Sequence, residues 1–208
     1  MEKKRGKFIT LEGPEGSGKS TQGEILFHWL QGKGFDTVLT REPGGTCLGN
    51  YIRDILLNQD LAMDSRAEIM LYGADRAQHV EEIIRPALKT GKIVICDRFT
   101  DSSISYQGYA RGLDIQLIRE INSIAAGGLT PDLTILYDLP VKVGLERKSS
   151  FDRMEKEGLA FHEDVRKGYL DIARRDTSGR IRVIDALEPI EEVSQMTIHL
   201  VDKLLGGY

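Results

Sequence analysis

The chain has little cysteine, no marked excess of charge of either sign and no long apolar run. Its two cysteines, Cys47 and Cys96, lie far apart and form no metal-ligand pattern. They read as packing residues, and the expected setting is a reducing cytoplasm. No apolar run approaches the ~18 residues of a membrane span. Lys and Arg total 28 against 32 Asp and Glu, a net charge of −4 that leaves no footprint for non-specific nucleic-acid binding. The basic start, Lys3, Lys4, Arg5 and Lys7, runs directly into a strand instead of an apolar signal region, so it reads as a solvated tail. There is no internal repeat and no low-complexity segment. What remains is 208 residues, 40% hydrophobic and 29% charged, which suits one globular domain, residues 1–208, with a small lid.

Against that background one segment stands out. Gly13-Pro14-Glu15-Gly16-Ser17-Gly18-Lys19-Ser20 fits the phosphate-cradling P-loop pattern. A strand-like run, Phe8–Leu11, precedes it and a helical pattern, Thr21–Leu30, follows. Glycines let the backbone approach phosphate closely, and the helix N-terminus faces the anion with free N–H groups. Lys19 adds positive charge, and the Ser20 hydroxyl suits Mg²⁺. The loop therefore points to a nucleoside triphosphate and leaves the acceptor open.

Apolar runs at Phe8–Leu11, Thr37–Thr40, Ile93–Cys96, Leu133–Tyr137 and Ile181–Ile184 lack strict alternation, as parallel strands covered on both faces do. Helical patterns fall near 20–31, 47–58, 65–89, 114–126, 141–148, 160–175 and 190–204. The predicted fold is α/β, a P-loop NTPase with a five-stranded parallel sheet flanked by helices on both faces. Ligands in such folds bind beyond the carboxyl ends of the strands. The loop after Leu11, Arg41-Glu42, Asp97-Arg98 and Asp138 thus become site candidates. Gly127-Gly128-Leu129-Thr130-Pro131 reads as a turn.

Four further groups bear on chemistry. Thr40-Arg41-Glu42-Pro43-Gly44-Gly45-Thr46 leads into a helix capped at or near Thr46. Its Arg41 suits an anion clamp, and a surface turn with an Arg–Glu pair fits equally well. Asp97-Arg98-Phe99, followed by Asp101, Ser102, Ser103, Tyr106 and Gln107, places charge at the end of a buried strand, either facing the crevice or as a strand-end ion pair. On the 65–89 helix the spacing predicts a core stripe of Ala67, Met70, Leu71, Ala74, Ala77, Val80, Glu81 and Ile84. Tyr72 and Arg76 lie one turn apart on a different face, suited to a base-plus-phosphate ligand or to solvent. Finally, Glu146-Arg147-Lys148-Ser149-Ser150-Phe151-Asp152-Arg153 reads as a short basic lid, about 146–158, or as a charged connection.

Together these residues resemble the thymidylate kinases over nearly the whole chain. The P-loop with Glu15 inside it, Arg41-Glu42-Pro43-Gly44-Gly45, Asp97-Arg98-Phe99 and Ser105-Tyr106-Gln107-Gly108 stand in that family's order and spacing. The bacterial type is most similar, since the P-loop lacks arginine and the lid is basic. The resemblance implies phosphorylation of dTMP to dTDP by ATP with Mg²⁺, for dTTP synthesis, in a homodimer without nucleic-acid or membrane partners. It implies that Gly13 to Ser20 hold the ATP phosphates and that Ser20 and Asp97 hold Mg²⁺, partly through water. Arg41, Arg76 and Arg98 would surround the dTMP phosphate. Tyr72 would stack on thymine, Ser103 and Gln107 would read its edges, Tyr106 would crowd the sugar, and Glu15 would meet the 3′-hydroxyl. Lys19, Arg98, Arg147 and Arg153 would be catalytic, the last two from the lid, and Ala186-Leu187-Glu188-Pro189 would flank adenine. The lid is shorter than in some bacterial relatives, Ser149-Ser150 replaces a more basic stretch, and Phe99 stands where Tyr or His is common. The competing readings are a kinase for another pyrimidine monophosphate and a P-loop ATPase switch; the three arginines favour an acceptor that already carries phosphate.

Overall fold

The computed structural model describes residues 5–147 and 152–207. The expected lid therefore includes Lys148, Ser149, Ser150 and Phe151, which lie outside the described residues, as do Lys3 and Lys4 of the basic start. Five strands, β1 (Phe8–Glu12), β2 (Thr37–Arg41), β3 (Ile93–Asp97), β4 (Leu133–Asp138) and β5 (Ile181–Asp185), form one sheet in the order β2-β3-β1-β4-β5. Every pairing is parallel. Each strand runs one residue beyond its predicted end. In the sequence the first polar residue looks like a strand end, whereas the ladder continues through it, pairing Leu11 with Asp97, Arg41 with Asp97 and Asp138 with Asp185.

Side chains of successive strand residues point to opposite faces, and both faces of the sheet are covered. On one face Ile9, Leu11, Ile95, Ile135 and Tyr137 pack with Leu26 and Leu30 of helix α1 (Lys19–Gly32). On the other, Phe8, Val94 and Cys96 pack with Val80, Ile84 and Phe99. Each fully buried aliphatic or aromatic side chain contributes roughly 1.5–3 kcal/mol. β1 is buried along its whole length, which fixes the base of the P-loop that follows it.

Helix α2 (Cys47–Leu57) is capped by Thr46, whose side chain accepts from the Gly49 N–H at 2.9 Å. Cys47 is exposed on its first turn, contrary to the packing expected of it, while Cys96 is buried in β3. Helix α3 (Ser65–His79) runs through a π-helical turn, Val80–Ile84, into α4 (Arg85–Lys89), matching the long helix predicted over 65–89. Of the predicted core stripe only Val80 and Ile84, in the π-helical turn, are buried. Ala67, Met70, Ala74, Ala77 and Glu81 are exposed, and the buried face carries Glu68, Ile69, Gly73, Asp75, Arg76 and His79. Polar side chains can line a core only where partners satisfy them, and those partners come from distant parts of the chain. A short helix α5 (Thr100–Ser103) and a π-helical segment, Ile104–Ala110, follow β3 where no helix was predicted. Helix α6 (Ile115–Ala126) ends at Gly127, and the predicted glycine turn has φ of 55° and 73° at Gly127 and Gly128. Helices α7 (Val141–Glu146), α8 (Leu159–Arg175) and α9 (Ile190–Leu205) complete the described elements.

Candidate active site

The carboxyl ends of β1, β2 and β3 open into a crevice of about 930 Å³, lined by P-loop residues, Arg41, Arg53, Tyr72, Asp97, Arg98, Ser103, Tyr106 and Gln107. Gly13 turns the chain out of β1 at φ 146°, where an added Cβ would lie 2.4 Å from the Tyr137 carbonyl oxygen. Gly18 (φ 85°) precedes α1 directly, so the loop's N–H groups and the helix N-terminus face the same space. Lys19 is buried there and donates to the Gly13 and Pro14 carbonyls at 3.0 and 2.8 Å and to Ser17 Oγ at 3.2 Å. Burial, and then the charge of Arg98, lowers its pKa to about 8. The Ser20 hydroxyl donates to Asp97 Oδ2 at 2.6 Å. Asp97 Oδ1 is buried with no hydrogen-bond partner among the described residues. A hydroxyl beside a carboxylate with an unused oxygen is a hard donor set that fits Mg²⁺.

A second group of cations faces the loop. Arg98 has φ 70°, a left-handed conformation that costs a non-glycine residue on the order of 1–2 kcal/mol. Its guanidinium donates to Glu15 Oε1 at 2.6 Å, to the Gly13 carbonyl at 3.2 Å and to the Tyr169 hydroxyl at 3.1 Å, and lies over the Tyr106 ring. The backbone is held on either side. Arg98 N–H donates to the Leu11 carbonyl, and Phe99 N–H donates to Glu12 Oε1 at 2.8 Å. Glu12 also accepts from Ser102 Oγ at 2.6 Å and Tyr169 OH at 3.1 Å. Burial, and then the neighbouring Asp101, raises the Glu12 pKa to about 7. Arg41 is exposed on the crevice wall. Arg53 beside it donates to the Pro43 carbonyl at 2.9 Å, and its pKa is lowered by burial and by the charge of Arg41. Glu15 Oε1 also accepts from Tyr106 OH at 2.6 Å, so the P-loop and the opposite wall are joined through one carboxylate oxygen.

Tyr72, Ser103 and Gln107 line the same crevice, as predicted, and so do Ala186 and Glu188 at the end near the P-loop helix. Four other expectations are corrected. Arg76 borders the crevice but is 1% exposed, and four of its N–H groups go to Glu42 Oε2 (2.8 Å), Ser103 Oγ (3.2 Å), Asn122 Oδ1 (2.5 Å) and the Phe99 carbonyl (3.1 Å). It braces the wall and does not join Arg41 and Arg98 as a cation open to a phosphate. Arg153 lies outside the crevice lining; it donates to the Leu56 carbonyl at 2.7 Å and to buried Glu68 at 2.6 Å, which turns it away from the P-loop. Arg147, by contrast, is part of the crevice lining, where it donates to the Gly16 and Ala186 carbonyls at 3.2 and 3.3 Å. Asp138 forms a two-pronged pair with Arg166 at 2.8 and 2.9 Å and is not part of the crevice lining. Glu42 pairs with Arg76 and His79 instead of with its neighbour Arg41.

Two residues of the site, Arg53 and Tyr169, are not singled out in the sequence, and Glu12 enters only as the start of the loop after Leu11. Arg53 looks like any solvent-facing charge on α2, and Tyr169 sits inside a run that reads as helix. The one local signal was at Glu12, a carboxylate directly after a buried apolar strand.

The thymidylate kinase family model matches residues 11–197. A thymidylate kinase of Desulfovibrio desulfuricans is 51% identical over 197 residues, covering 89% of this chain and 90% of that protein. One of Geobacillus sp. is 51% identical over 209 residues, covering 98% and 99%. The crystal structure of thymidylate kinase from Ehrlichia chaffeensis superposes with a TM-score of 0.78 at 36% identity, over 95% of this chain and 99% of that one. The P-loop, the facing arginines and the length of these matches lead to one conclusion: this chain belongs to the thymidylate kinase family.

Proposed function

We propose that the crevice binds ATP and dTMP facing each other and transfers the γ-phosphoryl group, giving ADP and dTDP for dTTP synthesis. One observation carries this reading. The P-loop and the cluster of Arg41, Arg53 and Arg98 line a single crevice, so a triphosphate donor and a phosphate-bearing acceptor meet there. Gly13 to Ser20 cradle the donor phosphates, and Lys19 leaves its loop carbonyls to pair with them. Ser20 and Asp97 hold Mg²⁺, which offsets phosphate charge when bound. Arg98, Arg41 and Arg53 orient the acceptor phosphate, and Arg98 also offsets charge as it spreads over the phosphoryl group. The acceptor oxygen is already ionised near neutral pH, so the site needs no general base. Tyr72 stacks on the base, Ser103 and Gln107 meet its edge, Tyr106 limits room beside the sugar, and Glu15 meets the 3′-hydroxyl. Arg147 steadies the donor-nucleotide end, with Ala186 and Glu188 beside adenine.

The chain acts as one domain with a lid over 146–158 that excludes water when closed. A homodimer in the cytoplasm completes the reading. No described helix is long and apolar enough to cross a membrane. Tyr51 on α2, Met70 on α3 and Ile124 on α6 are 66%, 60% and 82% exposed, on helices that pack side by side. Exposed large apolar groups gathered on adjacent helices suit a partner surface, and sedimentation velocity would report the dimer.

The direct test is ADP formation from ATP with each nucleoside monophosphate in turn. Strong stimulation by dTMP is expected. Stimulation by CMP or AMP instead, or ATP hydrolysis indifferent to every acceptor, would reject the reading.

A further inference from the structure

Gln107 lines the crevice with one end of its amide already engaged. Its Nε2 donates to Glu68 Oε1 at 2.9 Å. Glu68 is fully buried on α3 and also accepts from Arg153 at 2.6 Å and from Arg111 at 3.3 and 3.4 Å. A carboxylate facing two guanidinium groups accepts hydrogen bonds and offers none. The Gln107 atom beside it must therefore be the amide nitrogen, whichever way the amide would otherwise lie. Oε1 takes no hydrogen bond from a described residue and is not sealed from solvent, and the space that Gln107 borders is the crevice.

This orientation has a chemical consequence. A planar amide shows an adjacent acceptor and donor, and can pair in two-pronged fashion with a base edge of the opposite pattern. Thymine and uracil show an N3–H donor beside the O4 acceptor. Cytosine shows a bare N3 acceptor beside an amine donor, so it requires the amide turned over. An unconstrained glutamine turns over freely and reads both. One held by a buried carboxylate reads only the first.

The geometry points to Glu68 as a positioning residue that locks the Gln107 amide and so selects an N3–H pyrimidine over a cytosine-type base. The inference rests on the reading of the crevice as a pyrimidine monophosphate kinase site. Arg111 and Arg153 hold the lock in place, which gives Arg153 a part in the site without contact to the phosphoryl group.

The test compares kcat/KM for dTMP, dUMP and dCMP in the full-length wild type and in Glu68→Gln, whose own amide accepts or donates and lets Gln107 turn over. The dCMP-to-dTMP ratio is expected to rise about tenfold or more, since pairing against misplaced polar groups is what rejects a ligand. A purely structural defect lowers both substrates together, so a ratio within twofold of wild type overturns the inference. A wild type that prefers dCMP overturns it too. A wild type that takes dUMP in place of dTMP rejects the thymidylate reading but supports the lock, because uracil shows the same edge. A second measurement does not depend on the variant folding. The side-chain amide of Gln107 in the wild type, assigned with Gln107→Ala, should show a proton protected from exchange with and without dTMP. Loss of that protection on dTMP binding would mean that the amide turns over, and the lock fails.

Discussion

Ser20 Oγ and Asp97 Oδ2 lie 2.6 Å apart, joining the first turn of the P-loop helix to the end of β3. The second oxygen of Asp97 is buried without a partner among the described residues. Burying such an oxygen costs free energy unless something pairs with it, and a divalent cation beside the hydroxyl would do so. Asp97→Asn weakens that pairing and leaves the fold in place. The Mg²⁺ concentration for half-maximal ADP formation is expected to rise on the order of tenfold. A Mg²⁺ titration that superposes on the wild type would remove Asp97 from the metal site.

Lys19 is held by its own loop, and its pKa of about 8 reflects burial among neutral carbonyls and the nearby Arg98. A triphosphate supplies the missing negative charge and raises the pKa again. ATP binding at pH 8 should therefore take up about half a proton, with less uptake at pH 6.5, where the amine is already charged. Calorimetry in two buffers of different ionisation enthalpy measures this directly. Lys19→Ala should abolish the uptake and lower turnover by about 10²–10³-fold. Equal proton uptake in that variant would assign the titration elsewhere.

How much of this was legible in the sequence depends on where the information sits. The P-loop, its flanking strand and helix and the five strands are local patterns: each strand starts where the sequence predicts it, and the helix starts two residues before the predicted Thr21. Each strand end was read short, because Asp97, Arg41 and Asp138 look like loop residues until the neighbouring strand shows that the ladder includes them. The buried face of α3 was misread for a different reason. Glu68, Arg76 and His79 share one helical face, but polarity hid it, and the partners that make it tolerable, Gln107, Asn122 and Glu42, lie 34 to 46 residues away. The segment 104–110 has no apolar period to announce a helix, since a π-helical turn shifts the faces within it.

Arg153 was expected in the transition state and is instead tied to Glu68. Arg153→Met keeps the stem and removes the charge. Stranding a buried carboxylate costs about 3–5 kcal/mol. Arg111 still faces Glu68, so a smaller loss is expected, about 1–3 kcal/mol by urea denaturation. Turnover at saturating substrate should stay within a few-fold of wild type. A loss of kcat by orders of magnitude with unchanged stability would restore the catalytic assignment.

Glu12 holds the N–H that follows left-handed Arg98, and its carboxyl stays protonated up to about pH 7. Its ordinary pKa is 4.5, so between pH 4.5 and about 7 the folded state binds more protons than the unfolded one. Stability from this group then falls as pH rises through that window and levels off above it. Glu12→Gln keeps an acceptor for Phe99 and does not titrate. Urea denaturation at pH 5, 6 and 7 should show a flatter slope in the variant, and parallel slopes would clear Glu12. Glu12→Ala leaves the Phe99 N–H unpaired and should reduce kcat/KM for dTMP through Arg98.

Gly144 on α7 packs directly beneath the P-loop, and its missing side chain has a specific use. A Cβ there would lie 2.2 Å from the Glu15 carbonyl oxygen, and one on Gly16 would lie 2.0 Å from the Gly144 carbonyl oxygen. Propensity alone favours Gly144→Ala, by about 0.8–1.0 kcal/mol within a helix. The clash is with backbone, which cannot rotate aside as a side chain does, so the loop must move. Glu15 sits at the centre of that movement, and its carboxylate holds both Arg98 and Tyr106. The variant should therefore raise KM for both ATP and dTMP while its far-UV circular dichroism matches the wild type. A rise confined to ATP would mean that Glu15 keeps its place while only the apex of the loop shifts. No change in either would mean that α7 yields instead, and that the contact does not set the loop.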